Sequence, residues 1–532
     1  MVPRNPSTPV SIFLGRRGTG APGRLNMFFP SEKEFLKLSK KGNLIPVYKE
    51  VLGDLDTPVS AYYKLAHGAK YSFLLESVEN EEKVGRYSFL ADDPELVIRG
   101  KDEMLEIIDL SGPKPRKEQR SVGENPLDCI RDVIGRYRFV NIDGLPRFCG
   151  GIVGYLGYDI VRFFERLPDK PHDDLKLPDM LLVLAKDLVI FDHFNHTIKV
   201  VSCVEIGKKM SEKVKSARYR AACRRIDKLV AKIHKPLKMG DKKFSAKGAA
   251  KLNVSSNMSA EDFKRIVREA KKDISAGEII QTVLSQRFRV DLRTEPFNIY
   301  RMLRNLNPSP YMYYLNFDDV QIVGSSPELL VRCEEGVVET RPIAGTRRRG
   351  RDEKEDEALA KDLLSDPKER AEHIMLVDLG RNDLGRVCER GTVRLSEFMV
   401  IEKYSHVMHI VSNVKGKLKR DKDAFDVLQA AFPAGTVSGA PKIRAMVIID
   451  KLENVSRGPY AGCIGYFSFS GNLDSCITIQ TIVIKDKKAY VQAGAGIVAD
   501  SQPEKEYKET MNKARAQILA IQKAHRFNEA EG

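Results

Sequence analysis

Cys-x-x-Cys is absent: the eight cysteines stand apart, at 129, 149, 203, 223, 333, 388, 463 and 476. Neither a zinc site nor a disulfide framework is suggested, and a reduced, cytoplasmic setting is the simplest expectation. No apolar run approaches the ~20 residues of a membrane-spanning helix, so no membrane partner is expected. No Gly-Lys-Ser/Thr completes a P-loop. No zinc-finger or RNP module is visible, and there is no internal repeat. Acidic residues are missing from the first 26 positions, which hold Arg4, Arg16, Arg17 and Arg24. That stretch (1–26) reads either as a transit-type leader or as a mis-assigned start, since Met27 directly precedes a plausible domain beginning.

What remains is an enzyme-sized chain of 532 residues, 42% hydrophobic and 30% charged, of ordinary soluble composition. The net charge of +15 invites a nucleic-acid reading. Much of the excess lies in one linker-like stretch, Gly207 to Lys251, so no nucleic-acid partner is expected. Residues 27–206 read mostly as short strands, including Tyr71–Ser77, Tyr87–Leu90 and a hairpin of Met180–Asp192 with Thr197–Ser202. Residues 207–258 form a basic helix, Ser211 to His234, and a lysine-rich linker. A new start follows at Ser259, whose capping signal opens a helix ended by Gly277. Through residues 259–524, helices at 353–364, 368–379 and 504–523 alternate with strands at 279–288, 311–342, 407–414, 462–468, 476–484 and 489–495. Residues 525–532 are a tail. Without a regular βαβ repeat, the expectation is a mixed α+β fold with largely antiparallel sheets and surrounding helices.

Two glutamate pairs stand out. Glu369 and Glu372, and likewise Glu506 and Glu509, are three apart on helices opened by a proline, so each pair shares a helix face. If the faces converge, four carboxylates without sulfur or imidazole suit a hard cation such as Mg²⁺; the plainer reading is two solvated faces. Gly345 and Thr346, in Arg341-Pro-Ile-Ala-Gly-Thr-Arg-Arg-Arg, offer close backbone approach and a hydroxyl, and the arginines suit either an anion or plain surface. Gly494-Ala495-Gly496 ends a strand and is either an N–H cradle for a carboxylate or a simple turn. Ala434 to Lys442 is a second glycine-rich turn, with Pro441 suited to a helix start and N–H groups that could face an anion. His406 and His409 fall on opposite strand faces, so they do not jointly hold a metal. His409 suits proton transfer or a structural role.

In order, Pro-Ile-Ala-Gly-Thr, Glu-Arg-Ala-Glu-His, Asp378-Leu-Gly-Arg-Asn-Asp-Leu-Gly-Arg, His-Val-Met-His, Pro433-Ala-Gly-Thr-Val-Ser-Gly-Ala-Pro-Lys, Gly-Ala-Gly and Glu-Tyr-Lys-Glu-Thr resemble the chorismate-binding enzymes. Within them the chain most resembles the large subunits of anthranilate synthases, over about Met27 to Ala524. The resemblance implies Mg²⁺ held by Glu372 and Glu509 with Glu369 and Glu506 beside them. It implies chorismate positioned by Gly345, Thr346, Tyr460, Gln480, Gly494, Ala495 and Gly496. Glu328 is the implied proton donor to the leaving hydroxyl, and His409 the candidate acid/base for the elimination that follows. Gln281 lies where the water-using members carry a lysine; an amide cannot be that base, which favours ammonia. Ala344 lies where typical aminodeoxychorismate synthases, of folate biosynthesis, carry a nucleophilic lysine. Those enzymes are the alternative within the family. Ser77, Pro310, Tyr311 and Met312 match the segments that bind tryptophan as a feedback inhibitor. No glutaminase is visible in the sequence, so the implied ammonia source is a separate glutamine amidotransferase subunit. Gln480 departs from the arginine usual there, and with it goes a charge-assisted bond to a carboxylate.

Overall fold

Among the described residues every pair of neighbouring strands runs antiparallel, and parallel pairing is confined to two isolated bridges, Leu44 with Phe139 and His172 with Val455. The computed structural model describes residues 25–77, 85–237, 252–404 and 407–526. Within them lie two large sheets, one of 13 strands and one of 12, with helices around them, as the mixed α+β expectation requires. The leader up to residue 24, most of the lysine-rich linker, His406 and the tail from 527 lie outside the described residues.

Both sheets take strands from the two sides of the linker. In the larger, Tyr71–Glu76 pairs with Tyr311–Phe317, setting Glu76 opposite Met312. In the smaller, Gly151–Leu156 pairs with Cys463–Ser468. The glycines of that first strand are steric: a Cβ on Gly151 or Gly154 would sit 2.1 Å from the carbonyl oxygen of Phe467 or Leu181. The largest apolar cluster joins the two sheets, with Phe73, Phe89 and Leu315 from one and Val153, Tyr155 and Tyr466 from the other. The Phe89 and Tyr466 rings are 6.1 Å apart across this layer. A second cluster lies beneath helices that include Glu212–Ile233, Pro296–Leu306 and Pro503–His525. The basic helix Glu212–Ile233 buries Tyr219, Ala222, Ile226 and Val230, and Lys49 and Asp187 engage its Asp227 and Arg225 at 3.0 and 3.1 Å.

Three strand runs switch sheets. Met180–Asp192 is not one arm of a hairpin. It breaks at Lys186 into Met180–Ala185, in the smaller sheet, and Asp187–Asp192, in the larger, and only the second pairs with Thr197–Glu205. The run read as 476–484 is likewise two strands, Leu473–Ile477 and Thr481–Lys485, parted at Gln480 with its φ of +50°. Val320–Ser326 passes through Glu328 to Leu329–Glu334 in the same way. Apolar periodicity cannot show such switches, because the chain is buried on both sides of the break. Two corrections are local. Val254–Ser256, read as linker, pairs with Phe288–Val290. Helices Pro58–Ala66 and Pro126–Gly135, capped by Thr57 and Asn125, interrupt what reads as strands.

Candidate active site

Two of the sheet switches, at Glu328 and Gln480, meet. Ile477 N donates to Glu328 O at 3.0 Å and Ser325 N to Gln480 O at 3.3 Å. Ser326 Oγ donates to Ile477 O at 2.7 Å. Between sheets, side chains face a gap rather than a neighbouring strand. The gap is a cavity of about 240 Å³ lined by Gln281, Glu328, Ala344, Glu372, Tyr460, Gln480, Gln492, Gly494, Gly496 and Lys513, among others.

The strand Lys488–Ile497 forms one wall. Its pairing with Thr481–Lys485 ends at Val491, so the glycine segment has no strand partner on that edge. A Cβ on Gly494 would lie 2.6 Å from the Tyr460 hydroxyl oxygen, and one on Gly496 2.7 Å from Gln281 Nε2. The glycines therefore let Tyr460 and Gln281 reach the cavity. Strand alternation turns the Ala495 side chain into the core with Phe263 and Leu284, so a ligand contact at this residue is one of the backbone.

Glu328 is buried, and that burial raises its carboxyl from the ordinary 4.5 to about 8. The group is a neutral acid at neutral pH. Gln281 Nε2 donates to Glu372 Oε1 at 3.5 Å, while Gln281 Oε1 and Gln492 Oε1 are buried without a partner among the described residues. Buried acceptors left unpaired on a cavity wall fit a ligand with N–H or O–H groups.

The two acidic faces do approach each other. Burial first, then the charge of Glu369, raises the Glu372 carboxyl, and Glu509 adds to this. Burial and Glu509 raise that of Glu506. Yet among the described residues no three His, Cys, Asp or Glu side chains are gathered closely enough to hold a metal ion. Two of the four carboxylates are held in ion pairs: Glu369 with Arg347 at 3.3 Å and Glu509 with Lys513 at 2.7 Å. The donor chemistry fits a hard divalent cation, which would offset the crowding of like charge; a four-carboxylate set requires those ion pairs to open.

Gly345, Thr346 and His409 do not line the cavity; they stand beside it, next to Ala344. Gly345 has φ +67° and lies against the Glu369 carboxylate. His409 Nδ1 is 2.8 Å from Gly345 O and 3.1 Å from Thr346 Oγ1. A carbonyl only accepts, so Nδ1 carries the proton and Nε2 is left as the acceptor. Burial lowers the imidazole's affinity for a second proton. The arginines after Thr346 are bound up in the surface: Arg347 with Asp362, Asp366 and Glu369, Arg348 with Glu355, and Arg349 with Asp356. Lys513 and Gln492 were not legible in advance. Lys513 carried one signal, its place four residues after Glu509 on the same helix.

Ser77, Pro310, Tyr311 and Met312 come together elsewhere, at a cavity of about 60 Å³ between the two sheets. Glu76 on its wall pairs with Arg304 at 3.0 Å. Tyr311 donates to Asp474 at 3.0 Å, and Arg147 pairs with the same carboxylate at 2.9 Å. Ser77 Oγ is buried with no partner among the described residues.

A family model described as "chorismate binding enzyme" matches residues 73–519. The chain is 50% identical over 505 residues to anthranilate synthase component 1 of Acetivibrio thermocellus, covering 94% of this chain and 99% of the relative. It is 49% identical over 509 residues to the protein of that name from Aquifex aeolicus, with the same coverage. Among solved structures, anthranilate synthase component I from Streptococcus pneumoniae aligns with a TM-score of 0.72 at 38% identity, over 88% of this chain and 98% of that one. The menaquinone-specific isochorismate synthase of Escherichia coli shares the fold at 18% identity and a TM-score of 0.65, over 92% and 98% of the two chains. With the match running through both sheets and the cavity between them, the chain belongs to the chorismate-binding enzyme family.

Proposed function

We propose that this chain is the synthase component that converts chorismate and ammonia to anthranilate, pyruvate and water, with Mg²⁺ as cofactor, at the first committed step of tryptophan synthesis. The observation that carries the reading is the lining of the cavity. There Glu328 stands as a neutral acid, and Gln281 and Ala344 stand where lysines would direct other chemistry. Ammonia needs an acceptor to orient it, and Gln281 Oε1 is one without a partner among the described residues. The aminodeoxychorismate alternative lacks its nucleophilic lysine.

Mg²⁺ held by Glu372 and Glu509, with Glu369 and Glu506 beside them, would offset the charge of the ring carboxylate. Gln480, Tyr460 and the glycine edge hold the substrate against Glu328. Ammonia bonds to the ring carbon next to the carboxyl-bearing one. The bond to the ring hydroxyl breaks, and the Glu328 proton leaves with it as water; the ammonium group formed on the ring gives up one proton, which restores the acid. A ring proton is then removed as the enolpyruvyl C–O bond breaks, giving pyruvate and the aromatic ring; His409, neutral with Nε2 available, is the acid/base assigned to that step. The component name of the relatives supports a glutamine amidotransferase partner as the ammonia source. The smaller cavity takes tryptophan as an inhibitor, with Ser77 Oγ supplying a hydrogen bond. The test is direct. The purified chain, given chorismate, ammonium and Mg²⁺, should accumulate anthranilate and lose that activity with EDTA; consumption of chorismate without anthranilate rejects the proposal.

A further inference from the structure

Glutamine has a difficulty at position 480 that arginine would not. A guanidinium donates from every edge. A side-chain amide has a donor end and an acceptor end, and only the donor end serves a carboxylate. Turned the wrong way, Gln480 would set a carbonyl oxygen against the substrate's negative charge.

One neighbour governs that choice. Asn307 follows the helix Pro296–Leu306, its backbone N–H donating to Leu303 O at 2.8 Å. Its Nδ2 donates to Gln480 Oε1 at 2.6 Å and to Ser325 Oγ at 3.0 Å. Ser325 is fully buried, and its own N–H reaches the Gln480 carbonyl oxygen at 3.3 Å. The three residues thus form a closed set across the switch between sheets, where the left-handed backbone of Gln480 fixes the direction of its Cβ. With Oε1 held by Asn307, the Nε2 end has no partner among the described residues, and Gln480 lines the cavity.

We infer that Asn307 is a positioning residue that holds the Gln480 amide with its N–H group toward the substrate carboxylate. The inference rests on the reading of the cavity as a chorismate site. Asn307 does not line the cavity and acts only through Gln480.

The experiment is steady-state kinetics of the full chain with ammonium as nitrogen source. Asn307→Ala should raise KM for chorismate by about tenfold, the weight of one neutral hydrogen bond near its upper range, with kcat little changed. Asn307→Asp should raise it further, because a carboxylate accepts and draws the Gln480 N–H away from the cavity. The decisive arm is rescue. In a Gln480→Arg background Asn307→Ala should leave KM almost unchanged, since a guanidinium has no acceptor end to misdirect. An unchanged KM for Asn307→Ala in the wild-type background overturns the inference. So does an equal rise in both backgrounds with a lowered melting temperature, which is what a merely structural asparagine would give. If the unmutated chain makes no anthranilate, the functional reading fails first and the inference with it; normal turnover with unresponsive KM sinks the inference alone.

Discussion

Glu328→Gln should make the protein more stable and nearly inactive, and the gain in stability should depend on pH. Burial raises the Glu328 carboxyl from 4.5 to about 8, so between those values the unfolded chain has lost a proton that the folded chain keeps. The folded state binds more protons, and stability falls as pH rises through that window, levelling off above about 8. Each pH unit inside the window is worth about 1.4 kcal/mol. From pH 5.5 to 7.5 the wild type should therefore lose about 2.5 kcal/mol from this one group, allowing for partial ionisation near the ends. Glutamine cannot ionise and is of nearly the same shape, so Glu328→Gln removes the loss. Paired urea titrations of wild type and variant at pH 5.5 and 7.5 read the difference directly: the gap between them should widen by about 2.5 kcal/mol at the higher pH. Turnover of the variant should fall by about 10²–10⁴, the usual contribution of a positioned general acid. A gap that does not change with pH would refute the reasoning, because it would mean that Glu328 titrates alike in the folded and unfolded chain.

Three further outcomes follow from the same geometry. Glu372→Gln or Glu509→Gln should abolish Mg²⁺-dependent turnover while circular dichroism stays native, and near-normal activity at ordinary Mg²⁺ would remove either residue from the metal site. The isolated chain should use ammonium salts but not glutamine until an amidotransferase subunit is added; anthranilate formed from glutamine by the pure chain contradicts the partner assignment. Tryptophan should bind the wild type but not Ser77→Ala in calorimetric titration, and saturating chorismate should weaken that binding, since coupling between sites is reciprocal; a variant that remains fully inhibited would take Ser77 out of the effector site.

The parts of this molecule that were legible in the sequence are those set by local rules. Ser259 caps its helix because its hydroxyl accepts from Asp262 N. Pro367 and Pro503 open their helices because a first-turn residue needs no amide donor. The glutamate pairs could be placed on helix faces for the same reason. What stayed hidden depends on the third dimension. The strand runs at 180–192 and 476–484 look continuous because the chain is apolar and buried on both sides of each break, and a lone Lys186 or Gln480 between apolar segments does not mark a change of sheet. Gln480 was noticed only through the family resemblance, and its contact with Asn307, 173 positions away, leaves no trace in either segment. That the Ala495 side chain faces the core while Gly494 and Gly496 line the cavity shows only in the fold, where the strand divides the motif between two faces. Lys513 was missed because one lysine on a charged helix resembles any other; only the fold brings it to the Gly494 carbonyl, at 3.1 Å.

The central claim is that this cavity adds ammonia to chorismate and completes the elimination in the same site. The most direct measurement is product analysis by mass spectrometry after incubation of the purified chain with chorismate, Mg²⁺ and ¹⁵N-ammonium. The account predicts labelled anthranilate and pyruvate in equal amounts, with no 4-amino isomer. A labelled 4-amino product with the enolpyruvyl group retained, or isochorismate carrying no label, would contradict it.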